Sequence, residues 1–159
     1  MTSPIQLSLR PATTEDLAKV LEIERQVHVA PWTEEHFLAE LTKPYSHFLV
    51  LTDDETDLEV AGYIVFWTLF DEGQIMNVVV GTRFRGLGLA KTMIRKAASI
   101  AEKKGLKQIV LEVRKSNLPA VQLYQKLNFS ITHIRKGFYS NGEDAYQMTL
   151  PLQGELIDF

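Results

Sequence analysis

Apolar and polar residues alternate along the chain with two different periods, and the switches between them mark out the elements. Ile5, Leu7 and Leu9 alternate with other residues and Pro11 closes the run, which reads as a short strand. The period then lengthens. Leu17, Val20, Leu21, Glu24 and Val27 recur at helical spacing, and Thr13 with Asp16 three residues on offers a capping box, so a helix is predicted over about 15–27. His28-Val29-Ala30-Pro31-Trp32 interrupts it, because the residue before a proline disfavours helical backbone, and Thr33 opens a second, shorter helix to about Leu41.

Period two returns downstream. His47 to Leu51 reads as a strand, Asp53 to Asp57 as a polar turn, and Val60 to Phe70 as a long strand rich in β-branched and aromatic residues. Asp71-Glu72-Gly73 turns the chain into a further strand, Gln74 to Val80, completing an antiparallel meander. Leu89, Met93, Ile94, Ala97, Ala98 and Ala101 then predict a helix that ends at Lys104-Gly105. Ile109 to Val113 is an apolar strand, and Pro119 to Leu127 a helix that Asn128 closes in left-handed conformation. Phe129 to Ile134 and Ala145 to Leu150 are the last strands, joined through Asn141-Gly142. The order β-α-α-β-β-β-α-β-α-β-β implies an α+β fold with a mixed sheet, in one domain spanning residues 1–159.

Composition narrows the function classes. A chain of 159 residues buries a real core, and a net charge of -3 gives no polyanion-binding excess, so nucleic acid is not expected as the main partner. No apolar run is long enough to span a membrane, and Met1-Thr2-Ser3-Pro4 lacks the features of a signal peptide, which together predict a cytoplasmic protein. Cysteine is absent, which excludes disulfides, thiolate metal sites and a cysteine acyl-enzyme. His28, His36, His47 and His133 lack metal-ligand spacing, and no metal is expected.

The candidate chemistry centres on Arg85-Gly86-Leu87-Gly88-Leu89-Ala90, between the Ile75 to Val80 strand run and the long helix. Glycines there permit positive φ and close approach, and the amides and dipole of a helix N-terminus favour an anion. A P-loop is excluded because Arg85 and Ala90 occupy its two glycine positions ahead of Lys91-Thr92; a dinucleotide fingerprint is excluded because Lys91 stands at its third glycine. Arg85, Gly88 and Ala90 do fit Gln/Arg-x-x-Gly-x-Gly/Ala. That pattern resembles the pyrophosphate loop of the GCN5-related N-acetyltransferases (GNAT family).

Three further segments carry the resemblance. Leu111-Glu112-Val113-Arg114-Lys115-Ser116-Asn117, then Ala120 and Leu123 to Phe129, is similar to the signature of the family's N-terminal acetyltransferases; so are His28 to Glu34 and Ile134 to Tyr139 with Gly142 to Ala145. The match runs from about Leu9 to Pro151 and is strongest to the bacterial enzymes that acetylate a ribosomal protein's N-terminal alanine. Thr82, Ala90, Asn128 and Gly137-Phe138 depart from it, the last pair in the acceptor loop. The resemblance implies the GNAT fold, a mixed sheet of about seven strands flanked by four helices. It also implies acetyl-CoA as co-substrate, a protein or peptide N-terminus as acceptor, with a small-subunit ribosomal protein foremost, and direct transfer in a ternary complex.

An ammonium must lose a proton before it attacks a thioester, so a base is required. Glu112, flanked by apolar residues on a strand and sharing a face with Val110 and Arg114, would be partly desolvated and raised in pKa; a structural ion pair with Arg114 or a lysine is the alternative. The resemblance places the general base at Glu112 and the acid for the leaving sulfur at Tyr124, which on residue type alone would be a core tyrosine. It assigns the cofactor to Val78, Val79, Val80, Arg85, Gly86, Leu87, Gly88, Leu89, Ala90, Lys91 and Asn117, the last equally readable as a helix N-cap. Ala30, Trp32, Arg135 and Tyr139 are the expected acceptor contacts, although Trp32 could equally cover the core. The rival functions are acetylation of lysine side chains or small amines, and a non-catalytic acyl-CoA sensor, against which the pair Glu112 and Tyr124 argues.

Overall fold

The structure is a computed structural model that describes residues 6–53 and 59–152. Ile5, the 54–57 part of the polar turn and the N-terminal Met1 to Pro4 lie outside the described residues. The elements follow the expected order: β1 (Leu7–Pro11), α1 (Leu17–Val27), α2 (Glu34–Thr42), β2 (Ser46–Asp53), β3 (Val60–Leu69), β4 (Glu72–Val80), α3 (Leu89–Lys103), β5 (Gln108–Arg114), α4 (Leu118–Lys126), β6 (Ser130–Arg135) and β7 (Ala145–Pro151). The sheet has seven strands in the order β1-β2-β3-β4-β5-β7-β6. It is mixed, because β5 runs parallel to β4 and antiparallel to β7.

The chain divides into two compact units, one comprising Met1–Trp67 with Asn77–Ile94, the other Thr68–Met76 with Arg95–Phe159. In the first, β2 pairs antiparallel with β1 and β3. β3 is buried on both faces from Val60 to Phe66, which is why that run is continuously apolar instead of alternating. The α1 stripe faces inward through Leu17, Val20 and Leu21, and Phe37 of α2 is fully buried with its ring 5.5 Å from Phe48 and 5.8 Å from Tyr63. Asp16 explains the start of α1. It accepts from the Thr13 amide at 2.8 Å and forms a two-pronged pair with Arg10, and the first turn tightens to a 3-10 helix at Thr14–Asp16.

In the second unit, β5 is sandwiched in register, Ile75 opposite Leu111 on one side and Leu111 opposite Met148 on the other. Ala97, Ala98 and Ala101 of α3 are fully buried, and Ala101 lies over Gly73, small residues that let helix and strand approach closely. β6 pairs with β7 and is exposed along its whole length.

The structure extends β2 to Asp53, the residue expected to open the polar turn, and moves the β3–β4 boundary. The turn expected at Asp71-Glu72-Gly73 falls instead at Phe70-Asp71, with Phe70 at φ 56 and almost fully exposed, so β4 begins at Glu72. Backbone geometry wins over residue type here: Phe70 costs strain in the left-handed region, but stopping there lets Glu72 accept from Gln74 and Gln108 at 3.0 and 2.8 Å.

Candidate active site

The first unit carries the anion loop. β4 alternates, with Asn77 and Val79 buried and Val78 and Val80 half-buried, and ends at Gly81, whose amide donates to the Ala61 carbonyl at 2.7 Å. Arg85 to Gly88 are exposed. Gly86 and Gly88 take φ of 82 and 73, where a side chain would be strained, and no atom lies within 4 Å of the position a Cβ would occupy at either. Helix α3 starts immediately after: the Gly88 carbonyl accepts from the Thr92 amide at 3.1 Å and from its hydroxyl at 3.2 Å. The first-turn amides of Leu89, Ala90 and Lys91 have no intrahelical acceptor by the geometry of a helix start. A bare glycine turn, open space beside it and free amides together suit a pyrophosphate.

The same unit holds a polar cluster that sequence reasoning placed on the apolar stripe without giving it a role. Glu24 is completely buried, and its carboxyl accepts from the Tyr63 hydroxyl at 2.7 Å, from the Trp32 amide at 2.9 Å and from the Asn77 side-chain amide at 3.0 Å. His28 Nε2 lies 3.1 Å from Asn77 Oδ1. Burial first, then the Glu24 hydrogen bond, push the Tyr63 phenol far above its ordinary range. Glu24 thus ties the 28–32 corner to β3 and β4. Trp32 is half-buried, with its ring 5.1 Å from Phe37, whereas Ala30 is exposed. The available signal was a carboxylate at a stripe position, where only a paired polar group survives.

The second unit carries the titratable groups. Glu112 on β5 is half-buried and faces the β7 and β6 rows through Gln147. Burial raises its carboxyl above the usual value, Arg135 opposes that, and Glu72 adds to it. The ion-pair partner is Arg135, with Nε 3.7 Å from Glu112 Oε1, and not Arg114, which pairs with Glu143 at 3.0 Å. Tyr139 draws Glu112 and Tyr124 into one neighbourhood: burial raises its phenol, Arg114 lowers it, and Glu112 and Glu143 raise it further. Tyr124, on α4, is pushed up to about 12 by burial first and Tyr139 second, and its ring lies 5.9 Å from Phe129. Arg135 of β6 thus stands beside Glu112 of β5, and Tyr139, in the loop after β6, lies within electrostatic reach of Glu112 and of Tyr124 on α4.

That loop is fastened down. The Arg114 guanidinium lies 3.9 Å from the Tyr139 ring centroid, and Glu143 accepts from both Arg114 and the Ser116 amide at 3.0 Å. The Gly137 amide donates to Asp144 at 2.9 Å. Asn117 caps α4, its Oδ1 accepting from the Ala120 amide at 3.3 Å. Among the described residues no group of His, Cys, Asp and Glu is arranged to hold a metal ion, and no helix is long and apolar enough to cross a membrane.

The acetyltransferase (GNAT) family model matches residues 17–129, a span that takes in the glycine loop, β5 and α4. The chain belongs to the GNAT family. It is therefore an N-acetyltransferase with acetyl-CoA as its co-substrate. A Bacillus subtilis (strain 168) protein with the provisional name of ribosomal protein bS18-alanine N-acetyltransferase is 39% identical over 143 residues, covering 89% of this GNAT chain and 93% of its own. The N-alpha-acetyltransferase of Saccharolobus solfataricus is 32% identical, covering 91% and 93%. In three dimensions the ribosomal-protein-S18-alanine N-acetyltransferase of Escherichia coli superposes with a TM-score of 0.82 at 29% identity, over 97% of this chain and 100% of that one.

Proposed function

We propose that this GNAT enzyme works as one catalytic domain and acetylates the α-amine of a protein N-terminus, with the N-terminal alanine of a small-subunit ribosomal protein as its acceptor. The observation that carries the acceptor class is the 39% identity, along nearly the whole chain, to a protein named for that alanine. A ribosomal acceptor puts the reaction in the cytoplasm.

Acetyl-CoA would lie with its pyrophosphate on the amides of Gly86 to Lys91, beside Arg85, and its pantetheine amides along the Val78 to Val80 backbone. Bound there it supplies the acetyl group as a thioester. Glu112 takes the proton from the acceptor ammonium, directly or through a water, and its burial supports this, since a raised carboxyl holds a proton more readily than an exposed one. Tyr124 keeps its proton at neutral pH and donates its hydroxyl to the departing sulfur. Attack forms the N–C bond and breaks the C–S bond; the proton that the nitrogen sheds as it becomes an amide passes to the sulfur through the Tyr124 hydroxyl, so CoA leaves as the thiol and Tyr124 ends protonated. Tyr139 would offer the acceptor a hydroxyl, and Ala30 and Trp32, the latter with its aromatic ring, would contact it from the 28–32 corner. Lacking a cysteine, the chain favours direct transfer in a ternary complex.

The α-amine is also the easier nucleophile, being about 2 units less basic than a lysine side chain, so one moderately raised carboxyl suffices. The test uses an alanine-initiated peptide with a free N-terminus and an internal lysine, beside its N-terminally blocked copy. Mass spectrometry should find acetyl on the first and none on the second. Equal modification of the blocked copy would move the assignment to lysine side chains or small amines.

A further inference from the structure

Arg135 matched the acceptor-binding segment in sequence, yet its surroundings point elsewhere. It lies on β6 in register with Ala145, and its Nε is spent on Gln147 Oε1 at 3.3 Å. Gln147 is the cross-strand partner of Glu112 on one side and of His133 on the other. Side chains directly opposite across antiparallel strands share a face, so Glu112, Gln147 and His133 form one row, with Arg135 one row along beside Arg114. At 3.7 Å from Glu112, Arg135 Nε is too far for a hydrogen bond and close enough for strong attraction. Both carboxylate oxygens therefore remain able to accept from an amine or a water.

We propose that Arg135, anchored by Gln147, is a positioning residue for Glu112 instead of an acceptor contact: it fixes the carboxylate's direction and sets the pH at which that carboxylate is free to accept a proton. The inference rests on the reading of Glu112 as the base. Two physical arguments support it. A guanidinium repels a neighbouring ammonium, so a cation beside the base helps the bound acceptor give up the proton that Glu112 takes. Arg135 is also half-exposed and held through a neutral glutamine, and among the described residues its one ion pair is with Glu112. The other groups facing Glu112 are Glu72 from β4, Tyr139 from the β6–β7 loop and His133 from β6. Glu72 already accepts from Gln74 and Gln108, and Arg114 is committed to Glu143. Arg135 is thus the cation placed to oppose the desolvation of Glu112.

The test measures kcat/KM for one free-N-terminus peptide across pH in the wild type, Arg135→Gln, Arg135→Lys, Gln147→Leu and Glu112→Gln. A parallel carbon-detected NMR titration follows the Glu112 carboxyl itself. Removing the cation leaves desolvation unopposed, so the acid limb of the Arg135→Gln profile should move to higher pH. Activity should fall several-fold near pH 6 and little near pH 9, with the NMR midpoint moving the same way. Lysine should restore most of the shift, and Gln147→Leu should reproduce part of it with Arg135 intact. A raised peptide KM at every pH with an unmoved limb and midpoint would show an acceptor contact and overturn the proposal. Glu112→Gln separates the two layers: if it keeps full activity and the same limb, the base reading has failed, and the inference with it. If it loses activity while Arg135→Gln leaves limb and midpoint unmoved, only the inference has failed.

Discussion

Replacing Glu24 probes the cluster that fastens the 28–32 corner to the sheet. In Glu24→Ala three donors lose one acceptor: the Tyr63 hydroxyl, the Asn77 amide and the Trp32 backbone amide, now at 2.7, 3.0 and 2.9 Å. A buried donor without a partner costs about 1–3 kcal/mol. Tyr63 and Asn77 are buried and bear that cost; Trp32 is half-buried and can turn to water. Two orphaned donors give about 2–6 kcal/mol, and water entering the vacated space returns part of it, so a loss of about 3–4 kcal/mol is expected. For a domain of this size that lowers Tm by about 10 °C. Glu24→Gln keeps one oxygen but must aim its NH2 at a donor, and should lose about 1–2 kcal/mol. Urea unfolding followed by tryptophan fluorescence reads this directly, since the chain's 2 tryptophans include Trp32 itself. At a temperature where Glu24→Gln stays folded, its peptide KM should rise more than its acetyl-CoA KM. A loss below about 1 kcal/mol for alanine, or an alanine variant no weaker than the glutamine one, would refute the reasoning.

Gly62→Ala should cost about 1–3 kcal/mol in thermal or urea unfolding, because its Cβ would stand 2.6 Å from the Val79 carbonyl oxygen; a loss under about 0.5 kcal/mol would mean that the strands yield freely. Gly88→Asp adds strain at a φ of 73 and a charge facing the pyrophosphate proposed to sit there, so acetyl-CoA binding by calorimetry should fall severely, and wild-type affinity would displace the cofactor from this loop. Glu112→Gln should lower turnover by roughly 10²-fold or more with acetyl-CoA affinity kept. The same variant tests a sign in stability. A carboxyl raised in the fold binds its proton more tightly there than in the unfolded chain, so its contribution is present below the ordinary carboxylate pKa and is lost as pH rises through the raised value. Glu112→Gln should therefore gain in Tm on the wild type near pH 8 and not near pH 4; the reverse order would mean that the pair with Arg135 outweighs desolvation.

Much of this molecule is local in origin, and that part was legible in the order of residues. Element order, both helix caps at Thr33 and Asn117, and the left-handed closures at Gly105 and Asn128 depend on neighbours a few positions away. The glycine loop is of the same kind: Gly86 and Gly88 announce positive φ, and the apolar stripe after them announces the helix whose first amides an anion needs. A half-buried Glu112 followed from the single fact that its strand neighbours are apolar. Partnership was not local. Glu112 and Arg114 sit on one strand face two residues apart, which leaves a pair with Arg114 or a lysine open as the alternative to a base, but β7 lies between β5 and β6, and its register delivers Arg135 to Glu112 and Glu143 to Arg114 instead. Glu24 shows the same limit. Its place on the α1 stripe said that it faces inward, while the groups that make burial of a carboxyl tolerable come from residues 8, 39 and 53 positions away, and only the pairing of strands and the packing of α1 on them decided which those would be.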